Sequence, residues 1–349
     1  MRPHSSEKGR HGSQAIIAVT MGDAAGVGPE LCLRLLSRRK LPGVAVPLVI
    51  GNAAVLERAA RAQGLRLPRG VPCFTAAPES LSRPALYDPP DVLDGSAVVA
   101  GENQPACGKA AARYIAEAVR GCLQGRFAAM VTAPISKKAL NMAGVNFPGH
   151  TEMLAALTHT QSYAMLMYSR DIACVFVTCH RSLRSVPASI TAKRVIEVAK
   201  LAWHSLKALR GRPPRLCLLG LNPHAGEEGL FGDEEQRILL PAKKALARAG
   251  IVLEGPLPPD TAFTPQARKR FDCYIAQYHD QGCIPFKMLA FDSGVNTTLG
   301  LPLIRTSPDH GTAFDIAWQG KVRPDSFFAA YELAVRLAEK SPENVGCKT

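Results

Sequence analysis

Short apolar runs alternate with longer segments of helical periodicity along most of this chain, and this alternation constrains the fold more than any other feature. Residues 173–179 (ACVFVTC) form a nearly continuous apolar run, typical of a parallel strand covered on both faces. Residues 191–210 (TAKRVIEVAKLAWHSLKALR) have the spacing of an amphipathic helix. The alternation predicts an α/β fold built on a parallel sheet. The other predicted strands lie within residues 15–22, 46–51, 128–134, 215–222 and 271–278.

The length and hydrophobicity of the chain limit its class. Its 349 residues correspond to about two domains, and a hydrophobic fraction of 47% argues against a disordered protein. No apolar run reaches the roughly 20 residues that span a bilayer, and the polar N-terminus precedes only a short apolar stretch. We therefore expect a cytoplasmic protein without a membrane partner, with a disordered basic tail at residues 1–14.

The positive charge raises the question of nucleic-acid binding. The chain has 42 Lys and Arg residues against 29 Asp and Glu residues, which gives a net charge of +13. The basic residues are spread along helical segments and are not interleaved with aromatic residues, which make up only 6% of the chain. We therefore expect no nucleic-acid partner and interpret the charge as a solvated surface that also attracts small anions.

The ten cysteines do not form a recognisable metal or disulfide motif. They are scattered, no C-x-x-C pair occurs, and several lie inside apolar runs. This pattern predicts buried, reduced thiols that pack as small hydrophobic residues.

Three predicted strands each lead into a histidine, namely His180, His224 and His279. In open α/β sheets ligands bind beyond the carboxyl ends of the strands, and neighbouring strands lie only about 4.8 Å apart. One histidine at such a place is usually a structural loop residue, but three predict a metal site that suits Zn, Co, Mn or Fe. A partner subunit is another possible source of ligands. Asp280, which follows His279, is a candidate for orienting that ring or carrying a proton.

Other polar residues predict an anionic substrate. Thr151 is a predicted N-cap, and the free N–H groups of that helix start would bind an anion, although a plain cap is the alternative. Lys287 follows the His279 loop, and Arg305 is predicted at the end of a strand that includes LGLPLI. The glycine turn at residues 21–30 (MGDAAGVGPE) does not match G-x-G-x-x-G, so no standard dinucleotide-binding loop is predicted.

Seven segments resemble those of one enzyme family, and they are MGDAAGVGPE, TAPISKKAL, PGHTEMLA, LNPHAGEEGLFGDEE, GPLPPDTAF, YHDQGCIPFK and GVNTTLGLPLIRTSPDHGTAFDIA. From about residue 15 to residue 340 the chain resembles the 4-hydroxythreonine-4-phosphate dehydrogenase family of pyridoxal phosphate biosynthesis, which is related to the β-decarboxylating dehydrogenases. The resemblance implies two α/β/α domains with a cleft between them, similar to isocitrate and isopropylmalate dehydrogenases. It also implies a homodimer that uses NAD or NADP and a divalent metal (Zn, Mg, Co or Mn) at the subunit interface. We place the first domain at 15–130 plus 290–349 and the second at 131–289.

The resemblance also assigns roles to individual residues. It implies metal ligands at His180, His224 and His279, substrate contacts at His150, Thr151, Lys287, Asn296 and Arg305, and cofactor contacts at His310, Gly311 and Thr312. The implied reaction is oxidation of 4-phosphooxy-L-threonine followed by loss of its carboxylate, which gives 3-amino-2-oxopropyl phosphate. Asp260 and Asp280 are the candidates for proton handling or ligand orientation, with a purely structural role as the alternative.

One departure from the family pattern leaves the substrate open. The family usually has T-H-x-P-L after the first ligand strand, whereas this chain has Cys179-His180-Arg181-Ser182-Leu183-Arg184. Two arginines beside a metal ligand are able to change the anion recognised. The alternative substrates are erythronate or threonate 4-phosphate and a carboxylated cis-diol. A redox-free metal hydrolase or lyase is the alternative class of enzyme.

Overall fold

The computed structural model describes residues 14–38 and 40–340, and most of the predicted N-terminal tail lies outside them. Within these residues twelve strands form one sheet. The strands are β1 (Ala15–Thr20), β2 (Ala45–Ile50), β3 (Cys73–Phe74), β4 (Ala85–Tyr87), β5 (Ala129–Thr132), β6 (Ala164–Tyr168), β7 (Ala173–Phe176), β8 (Leu216–Leu219), β9 (Leu253–Leu257), β10 (Cys273–Ala276), β11 (Val295–Leu299) and β12 (Arg305–Pro308).

Helices connect most of these strands. They are α1 (Gly28–Leu36), α2 (Ala53–Ala62), α3 (Pro105–Leu123), α4 (Lys137–Met142), α5 (His150–Leu157), α6 (Val186–Ser189), α7 (Ala192–Arg210), α8 (Leu240–Arg248), α9 (Pro259–Ala262), α10 (Pro265–Arg268), α11 (His279–Ala290) and α12 (Asp325–Lys340). Local signals explain the bounds of α7, because the Thr191 side chain accepts a hydrogen bond from Arg194 N and Gly211 ends the helix at φ +70°. None of the helices in the described ranges is both long and apolar enough to cross a membrane.

The sheet confirms the α/β class but is not wholly parallel. Its strand order is β3-β4-β2-β1-β5-β12-β11-β6-β7-β10-β8-β9. Strand β6 is antiparallel to β7, and β11 is antiparallel to both β6 and β12. The other strand pairs are parallel, as expected, but β6–β7 and β11–β12 are joined by turns at 169–172 and 300–304 that are too short for a helical crossover, so the sheet is mixed. All twelve strands belong to one hydrogen-bonded sheet. The predicted division of the chain into two domains stays a prediction.

Burial in the core bears on two predictions, the coverage of the strands on both faces and the burial of the cysteines. Every residue of β7 is buried, as expected for a strand covered on both faces. Cys174, Cys217 and Cys273 are fully buried, and all nine cysteines within the described residues are free thiols. The buried cysteines therefore pack as small hydrophobic residues, whereas Cys73 is exposed and does not fit the prediction.

The sheet order determines which strand ends are neighbours. Strand β10 is parallel to both β7 and β8 and lies between them. The carboxyl ends of all three therefore lie at one edge of the sheet, and the segments that follow them carry the three predicted ligand histidines.

Candidate functional site

A cavity of about 560 Å³ lies beyond the carboxyl ends of the central strands. We call it the cleft. It brings together nine of the predicted site residues, which are His150, Thr151, His180, His279, Lys287, Asn296, Arg305, His310 and Gly311. Asp280 lines an adjoining cavity together with both His180 and His279. Residues from distant parts of the chain thus share one polar space.

Arg305 is a buried cation on the wall of the cleft, and it is only 3% exposed. Its guanidinium donates to Thr132 Oγ1 (2.7 and 3.1 Å), to Asn296 Oδ1 (3.2 Å) and to Thr298 Oγ1 (3.2 Å). All of these acceptors are neutral. Burial lowers the pKa of Arg305 to about 9, which still leaves it charged near neutral pH.

The position of Arg305 in its strand differs from the prediction. It begins β12 and does not end a strand. Gly300 has φ +90°, and Pro302 follows it, so residues 300–304 form a turn between β11 and β12. The apolar run was therefore read as one strand although it contains a chain reversal.

Helix α5 begins at the cleft, but its first residue is His150 and its N-cap is Gly149. The predicted N-cap role of Thr151 was wrong, because Thr151 already lies in the first turn and its Oγ1 is 3.5 Å from Thr298 Oγ1. The Nε2 atom of His150 is buried and lacks a hydrogen-bond partner among the described residues. Burial, reinforced by the charge of Arg305, holds the pKa of His150 well below its usual range, so the ring is neutral.

Lys287 enters the cleft from α11 and forms an ion pair with Asp309 at 3.3 Å. Asp309 was not predicted, although it directly follows β12 at the same sheet edge as the other site residues. Burial raises its pKa, and the Lys287 charge opposes that shift. Lys137 and Glu152 also line the cleft and were not predicted. Lys137 lies in TAPISKK, which begins at the end of β5, and Glu152 lies in PGHTE, which leads into α5. Both segments could have indicated these residues from the sequence.

His180 and His279 form a pair at the mouth of the cleft, with ring centroids 5.7 Å apart. The Nδ1 atom of His279 lies 2.7 Å from Asp280 Oδ1, so its Nε2 faces away from this carboxylate. A carboxylate contact of this kind is typical of histidines that bind metals, because it fixes the ring orientation and tautomer. Asp280 thus has the contact expected of an orienting residue, while its role stays a prediction.

His224 does not join this pair within one chain. It lies in the segment Pro223–Gly229, in which residues 224–228 all have positive φ. Its side chain is exposed, and its ring lies 5.7 Å from that of Phe231. Within the described part of a single chain, no three or more His, Cys, Asp or Glu side chains are grouped so as to hold a metal ion. Asp260 is also exposed, on the short helix α9, and does not line the cleft.

The glycine turn of residues 21–30 supports the loop that contains His310, Gly311 and Thr312. Val27 N donates to the carbonyl of Thr312 (3.0 Å), and a Cβ atom at Gly26 would lie 2.9 Å from the same oxygen. His310 and Gly311 line the cleft, whereas Thr312 does not. The Nε2 atom of His310 is buried and has no hydrogen-bond partner in residues 14–38 and 40–340.

Comparison with known proteins identifies the family. The model of the family described as pyridoxal phosphate biosynthetic protein PdxA matches residues 43–334. This chain belongs to the PdxA family.

Relatives of the chain share most of its length. It is 42% identical over 327 residues to a 4-hydroxythreonine-4-phosphate dehydrogenase of Desulforapulum autotrophicum, a match that covers 93% of this chain and 96% of that protein. It is 43% identical over 324 residues to a D-threonate 4-phosphate dehydrogenase of Salmonella typhimurium, covering 92% and 98%. The crystal structure of a 4-hydroxythreonine-4-phosphate dehydrogenase from Klebsiella pneumoniae is 42% identical, with a TM-score of 0.82 and coverage of 93% and 100%.

The donor atoms of this PdxA-family chain fit a divalent metal in part. His180 and His279 offer two imidazoles, which suit Zn, Co, Mn or Fe, and Asp280 contacts one of them. Among the described residues of one chain, no third ligand joins them. The buried Nε2 atoms of His150 and His310 are further polar atoms in the cleft that lack an acceptor or donor within the described protein. The cleft is thus suited to a polar ligand with several oxygen atoms.

Proposed function

We propose that this chain is an NAD- and metal-dependent dehydrogenase. Its substrate is 4-phosphooxy-L-threonine, which it oxidises and decarboxylates to 3-amino-2-oxopropyl phosphate in pyridoxal phosphate biosynthesis. The observation that carries this proposal is the buried cation Arg305, held by neutral oxygens in the same cleft as the pair His180 and His279. Membership of the PdxA family supports the choice of reaction.

The cationic groups of the cleft bind the phosphate and carboxylate of the substrate. Arg305 is desolvated, and among the described residues it donates only to neutral oxygens, so an incoming anion completes its charge pairing. Lys287 approaches from α11, and the first N–H groups of α5 offer further donors. His150 remains neutral beside Arg305 and donates or accepts a hydrogen bond without adding charge.

We assign the metal to His180 and His279, with Asp280 orienting the second ring and His224 of a second copy as the third ligand. A divalent cation held there would supply Lewis acidity, which would acidify the substrate hydroxyl and stabilise the negative charge left by the loss of carbon dioxide. The protein holds the substrate carboxylate and phosphate at fixed positions around it. This positioning presents the hydroxyl-bearing carbon to the nicotinamide.

The surface of α11 supports a homodimer. Ile284, Met288 and Phe291 are 58%, 82% and 72% exposed and lie at positions i, i+4 and i+7, so they form an apolar stripe beside the site. The stripe begins one turn after His279. A second copy packed here would bury it and come close to the metal pair. The exposed His224 segment is suited to cross such an interface.

Asp260 belongs with His224 in this arrangement. Helix α9, which carries Asp260, contacts the segment Pro223–Gly229 that carries His224. A partner that supplies His224 therefore also brings Asp260 towards the site, where it would handle a proton. Asp280 of the first copy is the second candidate for this task.

The nicotinamide cofactor, NAD or NADP, is assigned to the loop of His310, Gly311 and Thr312. His310 and Gly311 line the cleft, and the buried His310 Nε2 fits a polar cofactor group. A nicotinamide cofactor held there would supply the hydride acceptor for the oxidation. We place this chemistry in the cytoplasm.

The second candidate is the dehydrogenase reaction on D-threonate 4-phosphate. It is favoured by the Salmonella typhimurium relative, whose identity of 43% matches that of the 4-hydroxythreonine-4-phosphate dehydrogenases. Arg181 lines the cavity that adjoins the cleft, together with His180 and His279. A cationic neighbour favours an additional anionic or hydroxylated substrate group over an ammonium group.

A substrate panel tests both candidates. Purified protein with NAD and either Zn, Mg, Mn or Co is assayed for NADH formation on 4-phosphooxy-L-threonine, D-threonate 4-phosphate, D-erythronate 4-phosphate and a carboxylated cis-diol. The proposal expects the highest kcat/KM on 4-phosphooxy-L-threonine. A higher value on D-threonate 4-phosphate selects the second candidate. Product formation without NADH contradicts both and indicates a hydrolase or lyase.

A further inference from the structure

A second polar cavity, of about 220 Å³, lies at the opposite end of the strands from the cleft. It is formed by the turn between β6 and β7 and by residues just before β8 and β10. His180 and His279 follow the carboxyl ends of β7 and β10, whereas this cavity adjoins the beginnings of those strands. We call it the basic pocket, and its charged lining residues are Arg170, Asp171, Arg210, Arg215, Arg268, Lys269 and Asp272.

The basic pocket carries more positive than negative charge. Five cationic side chains against two carboxylates leave a net charge of +3 on its lining. Asp272, whose side chain is 2% exposed, already binds Arg210 at 2.6 Å and Arg215 at 3.3 Å, and Arg212 holds both of its oxygens. Its acceptor capacity is used by these partners, while each guanidinium retains N–H groups that Asp272 does not bind.

Arg268 adds an unpartnered donor to the same wall. Its Nε atom is buried and has no hydrogen-bond acceptor among the residues that the structure describes. Buried N–H groups are nearly always paired, so this atom indicates an acceptor that the described residues do not provide. Arg170 also lines the cavity, its side chain is 84% exposed, and its ion pair with Glu332 is long, at 3.8 Å.

We propose that the basic pocket is a binding site for a compact phosphate-bearing anion with two or more negative charges. Guanidinium groups present paired N–H donors that match phosphate oxygens, and several of them converge here. The volume is below the range of pockets for drug-sized ligands, so the ligand is a small group such as a diphosphate. This site is separate from the cleft and does not depend on the proposed reaction.

Isothermal titration of the metal-loaded protein with inorganic diphosphate, at constant ionic strength, tests the proposal. Arg268→Gln removes the unpartnered donor, and Arg170→Gln removes a cation that is mostly exposed. We expect each variant to weaken one class of diphosphate site by about tenfold or more. Arg248→Gln, an exposed residue of α8 outside the pocket, is the matched control and should bind as the wild type does.

The cleft also attracts phosphate, so its contribution is separated with Lys287→Gln. This variant should retain the site that is lost in Arg268→Gln. Titrations of Arg268→Gln and Arg170→Gln that both superimpose on the wild type would overturn the proposal. Equal weakening by Arg248→Gln would also overturn it, because binding would then follow overall charge and not this pocket.

Discussion

Replacing Arg305 by methionine should stabilise the chain while it removes anion binding from the cleft. Burial lowers the pKa of Arg305 from 12.5 to about 9, and at about 1.4 kcal/mol per unit this disfavours the charged form by about 5 kcal/mol. Methionine removes that penalty but leaves the oxygens of Thr132, Asn296 and Thr298 without their donor, at about 1 kcal/mol each. The difference predicts a gain of about 1–2 kcal/mol in the free energy of unfolding.

Urea unfolding near neutral pH, first without phosphate and then with inorganic phosphate, measures both effects. Without phosphate, Arg305→Met should unfold at a higher urea concentration than the wild type. Phosphate at 100 times its dissociation constant adds about 2.7 kcal/mol to a protein that binds it at one site, and the variant should lose the share that comes from the cleft. Arg66→Met, at an exposed position, is the control and should change neither quantity by more than about 0.5 kcal/mol.

Two results would refute this reasoning. If Arg305→Met is less stable than the wild type in the absence of phosphate, the guanidinium is a structural element whose hydrogen bonds outweigh its burial. If phosphate stabilises the variant and the wild type equally, Arg305 does not bind anions. The basic pocket does not affect the comparison, because both proteins contain it.

Three further predictions concern the histidine pair, the interface and the Asp272 cluster. Asp280→Asn removes the carboxylate that contacts His279, so the affinity for Zn should fall about 10- to 100-fold in chelator competition, and an unchanged affinity contradicts the orienting role. Mixing His224→Ala and His279→Ala proteins should restore up to about a quarter of wild-type activity, because half of randomly mixed dimers contain one intact site. No recovery after proven subunit exchange argues against a shared site. Asp272→Asn should lower the free energy of unfolding by about 2 kcal/mol, less than for a fully buried pair because its arginine partners are 32–52% exposed. Although burial favours protonation of Asp272, its arginine contacts hold its pKa below the ordinary 3.8. Its contribution is therefore present above that pH and lost below it, so the urea midpoints of the two proteins should converge below about pH 4, and parallel midpoints contradict this assignment.

The residues at the carboxyl ends of the strands were predictable, because the sequence shows both where a buried strand lies and which polar residue follows it. A strand covered on two faces appears as a continuous apolar run, and the first polar residue after it lies at the sheet edge. His180 and His279 follow β7 and β10, and these strands are hydrogen-bonded neighbours, so their proximity confirms this part of the reasoning. His224, the third predicted ligand, does not lie beside them in one chain, because the strand order does not fix the path of a segment with five successive positive φ values, and its role stays a prediction.

Chain reversals were the weak point of the sequence reasoning. An apolar run shows that a segment is buried but not whether it runs straight, so the turn at Gly300 was missed and Arg305 was placed at the wrong end of a strand. The antiparallel strands β6 and β11 were missed for the same reason. Lys137, Glu152 and Asp309 lie in segments already recognised as family motifs, but nothing in one sequence distinguishes a charged side chain in the cleft from a solvated one.

The central claim is that the cleft couples metal-dependent oxidation of a phosphorylated hydroxy acid to its decarboxylation. Its most direct test is to measure NADH and carbon dioxide together, from chelator-treated protein supplied with NAD and 4-phosphooxy-L-threonine before and after a divalent metal is added back. We expect neither product before the addition and equal amounts of both after it. Turnover by the metal-stripped protein, or carbon dioxide released without NADH, would contradict the claim.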